Sequence, residues 1–284
     1  KSAYEVLEKE YDFWQTERIT EIELNQYGGR VEDKGELCNA FIERLRYDPR
    51  IETDCLAKHT IAQMESGWDI NPRMGFESYN CCEIDLNSLL YMHEKNMEYF
   101  SYELGNKDGV KWYKAAKKRK KAMCTYMYDM DNLPYDYNFK TKSLCHIYSA
   151  AAFYPMFAKC ASAEQAISIV RNIDRLEYEY GISACENNNT KGMYQWNYPN
   201  SWACLQYITA KGLINYGFYD AAERVIKKYL KTVNKAYNET GKLWEKYNAV
   251  DGSINVVNEY DMPEMMGWTA GVYLWCLNYL NNKK

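Results

Sequence analysis

The sequence predicts an all-α fold, and three observations carry that expectation. Apolar residues recur at spacings of three and four along most of the chain, as at Tyr4, Leu7, Tyr11 and Trp14, which is one face of a helix. No run alternates apolar and polar residues convincingly enough to be a half-buried strand. The connections alternate between short ones and long ones rich in Trp, Tyr, Asn, Gly and acids, as antiparallel helix pairs with their functional loops at one end would require. A helical barrel has that arrangement.

After the opening helix, the same periodicity predicts helices over about 36 to 47, around Leu89, Met92, Met97 and Phe100, and over 108 to 129, 145 to 158, 163 to 179, 202 to 216, 219 to 235 and 264 to 280. Short links at 105 to 109 ("GNKDG") and 216 to 220 ("YGFYD") separate some of them. The long loops are 24 to 35, 66 to 82, 181 to 201 and 240 to 263. The run "KAAKKRKKAM" at 114 to 123 places Trp112, Ala115, Ala116, Met123 and Met127 on one side and leaves its lysines in water. Asp85 and Asn87 begin a helix, where capping explains them. His59, His93 and His146 sit on ordinary helical segments and are assigned no role.

Composition narrows the partners. A length of 284 residues with 47% hydrophobic content supports a sizeable core, and a formal charge of -4 gives no basic field for nucleic acid. No stretch approaches eighteen apolar residues, so no membrane span is expected. The opening "KSAYEVLEKEY" is charged and amphipathic, unlike a signal or transit peptide; any such segment would lie outside this sequence. Ten cysteines occur without a CxxC pair or a Cys/His cluster, so no metal site is expected. Their even count and the sequons Asn188-Asn189-Thr190 and Asn238-Glu239-Thr240 lean toward a disulfide-bearing glycoprotein, extracellular or lumenal. The aromatic fraction of 15% suits a ligand that is half apolar and half hydroxylated, such as a carbohydrate.

The chemistry concentrates in the long loops. "MESGWDINPRM" at 64 to 74 brings Glu65, Trp68, Asp69 and Arg73 together, with Gly67 and Pro72 breaking any regular element. Glycoside hydrolysis needs one carboxyl to protonate the leaving oxygen and another to activate water or attack the sugar, so two acids from different loops must converge. Glu245 in "LWEKYN" and Glu259, Asp261 and Glu264 in "NEYDMPEMMGW" are further candidates, and indoles beside them would disfavour an ionised carboxyl. Plainer roles compete: Asp69 as a helix cap, Glu245 paired with Lys246 on the surface, Trp202 as a core ring, and Arg73 as a partner of Glu65 or a support for Asp69.

"ESGWDINPRM" resembles the trehalase family's ESGWDFSSRW, and "QWNYPNSWACLQ" at 195 to 206 is similar to its QWDYPNGWAPLQ signature. "EYDFW", "LNQY", "IDLNSLLYMHEK", "WEKYN" and "EYDMPEMMGWTAGVYL" agree in order and spacing, so the resemblance covers essentially the whole chain. It implies an (α/α)6 toroid, inverting hydrolysis of α,α-trehalose to glucose, and no cofactor. By position, Asp69 matches the general acid and Glu245 the general base. Trp196 would stack on a glucose ring, and Gly67, Glu259, Arg30 and Glu32 would lie at the sugar, the last two matching the family's RPE triplet.

The pattern departs in three ways. The family's GGGGEY loop reads "INVVNEY" at 254 to 260, and QWD has become Gln195-Trp196-Asn197. The signature PGGRFxExYxWDxY has no counterpart here. Residues 1 to 284 are therefore expected to be the C-terminal portion of a single catalytic domain, inactive alone. The rest of the barrel would come from a missing segment or a cleaved companion chain. Two alternatives stay open: a catalytically silent storage or structural relative, and an exo-α-glucosidase acting on another disaccharide.

Overall fold

The computed structural model describes residues 2–28, 53–190, 194–258, 260–264 and 267–282. The expected helix over 36 to 47 and the candidate residues Arg30, Glu32 and Glu259 lie outside them. Two compact units are present: Lys1–Asp69, Met74–Cys145 and Ala158–Ala161 in the first, and Ile70–Arg73, His146–Phe157 and Ser162–Lys284 in the second.

The first unit is built on α1 (Ser2–Glu17), α2 (Thr53–Ser66), α3 (Ile84–Glu103) and α4 (Gly109–Tyr126). A link of five residues, with Gly105 at φ 64, folds α4 back along α3. The periodic residues of α1 meet that pair: Tyr4, Tyr11, Met97 and Trp112 form one cluster, with Leu7 packed on it. The Trp112 indole N–H donates to Tyr4 Oη at 2.7 Å, so the ring is buried with its polar atom satisfied.

The lysine-rich run behaves as expected for Lys114, Lys117, Lys118 and Lys121, which are exposed, but not for Arg119. Arg119 points inward, its side chain 3% exposed, and its Nε donates to Glu94 Oε1 at 2.9 Å. Its Nη1 donates to Asn25 Oδ1 at 2.8 Å and Asn87 Oδ1 at 2.9 Å. Asn87 is thus a buried junction rather than a helix cap; it also donates to the Asn25 and Glu83 carbonyls, each at 2.9 Å. Burial pushes the Glu94 carboxyl above its usual range, and the Arg119 charge opposes that rise.

In the second unit, α5 (Tyr154–Phe157) and α6 (Ala163–Arg171) are shorter than the periodicity suggests. Pro155 tolerates only a first helical turn, so Ala150–Phe153 is 3-10 rather than α. Ser162 opens α6 with a reciprocal capping box: Gln165 N donates to Ser162 Oγ at 3.2 Å, and Ser162 N donates to Gln165 Oε1 at 2.7 Å. Beyond it, α7 (Ala203–Asn215), α8 (Tyr219–Thr240) and α9 (Gly267–Asn281) pack on one another. The buried stripe of α8 runs through Ala222, Val225, Ile226, Tyr229, Val233 and Ala236. That helix stops at Gly241, whose left-handed φ of 71 lets its N–H reach Tyr237 O at 2.7 Å.

Short ladders punctuate the helices. In the first unit β1 (Cys81–Cys82), β2 (Tyr137–Asn138) and β3 (Ser143–Leu144) form one sheet. In the second, β4 (Glu177–Tyr178) pairs with β5 (Gly181–Ile182), and β6 (Asn200–Trp202) with β7 (Lys246–Asn248), all antiparallel. Segments of two or three residues carry no readable alternation, which is why the sequence does not announce them. Cys81, Cys82, Cys124, Cys145, Cys160, Cys185, Cys204 and Cys276 are free thiols, so the expected disulfides find no pair among these eight.

Candidate active site

The family-like segments "QWNYPNSWACLQ" and "WEKYN" meet in the β6·β7 ladder, which sets Asn200 opposite Asn248, Ser201 opposite Tyr247 and Trp202 opposite Lys246. Asn200 anchors the turn before it, donating from Nδ2 to Gln195 O at 2.8 Å and Val257 O at 2.9 Å. Val257 N donates back to Asn200 Oδ1 at 3.3 Å, so the valine-bearing loop is tied to β6 by a reciprocal amide pair. Trp196 and Trp202 stack face to face, centroids 3.9 Å apart and planes at 3°. Trp268 meets Trp202 edge-on at 5.6 Å. One face of Trp196 is therefore covered by an indole, and the residue is 6% exposed.

Glu245 precedes β7. Its backbone is pinned by the Trp268 indole N–H, which donates to Glu245 O at 3.1 Å, and by Thr269 Oγ1, which donates to Trp244 O at 2.7 Å. The residue is 7% exposed, and its carboxylate accepts from two donors. Tyr260 Oη lies 2.8 Å from Oε1 and 2.9 Å from Oε2, and Lys246 Nζ donates to Oε2 at 2.7 Å. The pairing with Lys246 expected as a surface contact is therefore an interior one, with the lysine side chain 0% exposed.

Asp69 is reached through the end of α2. Ser66 Oγ donates to Gln63 O at 2.6 Å and accepts from Trp68 N at 3.0 Å. Gly67 takes φ 73 with open space where a Cβ would stand, so backbone freedom rather than room explains a glycine there. Trp68 is buried and Asp69 half-buried. Ile70 then adopts φ 53, an uncommon conformation for a β-branched residue and a local strain of the kind found near functional sites. Its carbonyl accepts from Trp196 N at 3.5 Å, and Asn71 Oδ1 accepts from Arg73 N at 3.0 Å, with Arg73 buried. Glu65 pairs with Arg18 at 2.9 Å and accepts from Gly28 N.

Of the contacts of Glu245, the sequence names only Lys246, its neighbour in "WEKYN"; Tyr260 and Trp268 come from segments that local spacing cannot join to it. The sequon residue Asn188 uses its amide to donate to Asn197 Oδ1 at 2.7 Å and Glu186 O at 3.0 Å. Among the described residues no group of His, Cys, Asp and Glu is arranged to hold a metal ion.

Known proteins resemble this chain over nearly its whole length. The Trehalase family model matches residues 1–281. A probable trehalase of Saccharomyces cerevisiae is 31% identical over 283 residues, covering 86% of this chain and 36% of its own. The periplasmic trehalase of Salmonella dublin is 28% identical, covering 96% of this chain and 52% of its own. Among solved structures, the neutral trehalase of Saccharomyces cerevisiae superposes with a TM-score of 0.82 at 25% identity, over 99% of this chain and 57% of that one. A mannosylglycerate hydrolase from Thermus thermophilus shares the fold at a TM-score of 0.56 and 14% identity over 70% of this chain. The chain spans between about a third and a half of the curated relatives it matches. With its signature loops paired at β6·β7 and a family model matched over nearly its whole length, the chain belongs to the trehalase family.

Proposed function

We propose that this chain carries the acid and the base of an inverting glycoside hydrolase that cleaves α,α-trehalose to glucose. Asp69 protonates the oxygen bridging the two anomeric carbons, and Glu245 takes a proton from the attacking water on the opposite face. Inversion at one anomeric carbon releases one β-glucose and one α-glucose. Trp196 and Gly67 border the sugar, and Arg30, Glu32 and Glu259 contact its hydroxyls. The reaction needs no cofactor, because acid and base alone carry it.

The observation that carries this reading is the setting of Glu245: a buried carboxylate, fixed in backbone and side chain, in a loop paired with the tryptophan signature. The remainder of the barrel is supplied by an upstream segment or a companion chain, and this chain alone turns nothing over. An extracellular or lumenal location fits its periplasmic relatives, although another relative is a neutral trehalase. Among the described residues no helix is long and apolar enough to cross a membrane.

The test is glucose release from trehalose by the complete polypeptide, beside Asp69→Asn and Glu245→Gln. Turnover that either substitution abolishes is expected. Full activity in either variant would refute the assignment. Cleavage of a different α-linked disaccharide alone would select the exo-glucosidase alternative, and no cleavage of any would select the silent relative.

A further inference from the structure

Lys246 is a fully buried cation, and such a charge is tolerated only where something compensates it. Its Nζ lies 2.7 Å from Glu245 Oε2 and 3.5 Å from Gln195 Oε1. Aromatic faces complete the slot, with Trp202 at 4.6 Å from Nζ to ring centroid and Tyr260 at 5.0 Å, both within cation–π range. The slot is built by register, because Trp202 is the cross-strand partner of Lys246 and is itself held by its indole N–H donating to Gln195 O at 3.1 Å. The Tyr260 that walls the lysine also reaches both Glu245 oxygens. The carboxylate is thus held by two donors, one of which is fixed by tryptophan.

We infer that Lys246 and Tyr260 are positioning residues for Glu245, and that Trp202 acts on the base through Lys246 rather than on the sugar. The inference rests on the reading of Glu245 as the general base. Trp202 presents one face to Trp196 and another to the ammonium, so its loss frees the lysine from its slot. A freed lysine no longer fixes the plane in which the carboxylate meets water, and misplacement of about an ångström is costly to a proton transfer. The defect therefore falls on turnover and not on substrate affinity. Arginine keeps the charge but brings a planar fork in place of a point charge, so it restores the pairing without the geometry.

The experiment uses the complete polypeptide with Lys246→Met, Lys246→Arg, Tyr260→Phe, Trp202→Leu and the Lys246→Met/Trp202→Leu double variant, read by kinetics and by crystal structures. For Lys246→Met, kcat is expected to fall by about tenfold or more with KM within about twofold, Lys246→Arg recovering part of it. The double variant is expected to lose little beyond Lys246→Met alone, because the two act on one path. α-Glucosyl fluoride separates base from acid: fluoride leaves without a proton from Asp69, so a base defect lowers its turnover by the same factor as that of trehalose. In the crystals of Lys246→Met and Tyr260→Phe, the Glu245 carboxylate is expected to leave its position. An unmoved carboxylate, a purely KM effect, or additive losses in the double variant would overturn the inference. If the unsubstituted polypeptide hydrolyses neither substrate, the hydrolase reading falls, and the position of Glu245 in the variant crystals still decides whether these residues hold it. If Lys246→Met does not fold, Tyr260→Phe, which removes only a hydroxyl, gives the same structural readout.

Discussion

Replacing Arg119 by Met tests the interior of the first unit. The substitution keeps most of the aliphatic stem and deletes the guanidinium that donates to Glu94, Asn25 and Asn87 at 2.8 to 2.9 Å. Both charged side chains are almost wholly buried, at 3% and 1% exposure, so water cannot replace the lost partner. Breaking a buried pair from one side leaves an uncompensated charge, which costs about 3–5 kcal/mol. At about 2–4 °C per kcal/mol, the melting temperature should fall by roughly 6–20 °C.

The pH dependence gives the mechanism. Burial already raises the Glu94 carboxyl, and the Arg119 charge opposes it; without that charge the rise is larger. A carboxyl raised on folding holds its proton in the native state where the unfolded chain has lost it. Its contribution is complete below the unfolded value of about 4.3 and is lost as pH climbs through the folded value. The deficit of Arg119→Met should therefore shrink as pH is lowered toward that value, and Arg119→Met/Glu94→Gln should remove this pH dependence. Thermal unfolding of the three proteins between pH 4.5 and 8 reads both effects. A loss below about 1 kcal/mol, or a deficit that grows on acidification, would refute the reasoning.

Other outcomes follow from single contacts. Ser162→Ala removes the capping box of α6 and should lower stability by about 1 kcal/mol in denaturant titration. Gly67→Ala meets no atom but must hold φ 73, costing about 1 kcal/mol, whereas Gly252→Ala, at φ 71, also drives its Cβ into the Tyr180 ring and should cost distinctly more in the same titration. Under native conditions a thiol reagent followed by peptide mass mapping should modify exposed Cys124 before the buried Cys81, Cys82, Cys160, Cys185 and Cys276.

Much of the framework could be read from residue spacing. The stripes of α1, α4 and α8 follow a three-and-four repeat because each helix buries one face. α6 shows its beginning as Ser162 with Gln165 three residues on. The reading failed where a tertiary contact overrides a local pattern. Arg119 looks like one more cation in a solvated run, and only Glu94 on a neighbouring helix, with Asn25 and Asn87, draws it inward. Asn87 looks like a helix cap for the same reason. At the site, Glu245 stands out by its motif, but Tyr260 and Trp268 reach it from 15 and 23 positions along the chain, beyond the reach of local spacing. The two-residue ladders were invisible because they are shorter than the period that would reveal them.

The most direct measurement is proton NMR of the first products formed from α,α-trehalose by the complete polypeptide, before the anomers equilibrate. Equal initial amounts of β- and α-glucose, lost in Glu245→Gln, are the expected result. α-Glucose alone, or β-glucose formed undiminished by Glu245→Gln, would contradict the claim that Glu245 activates the attacking water.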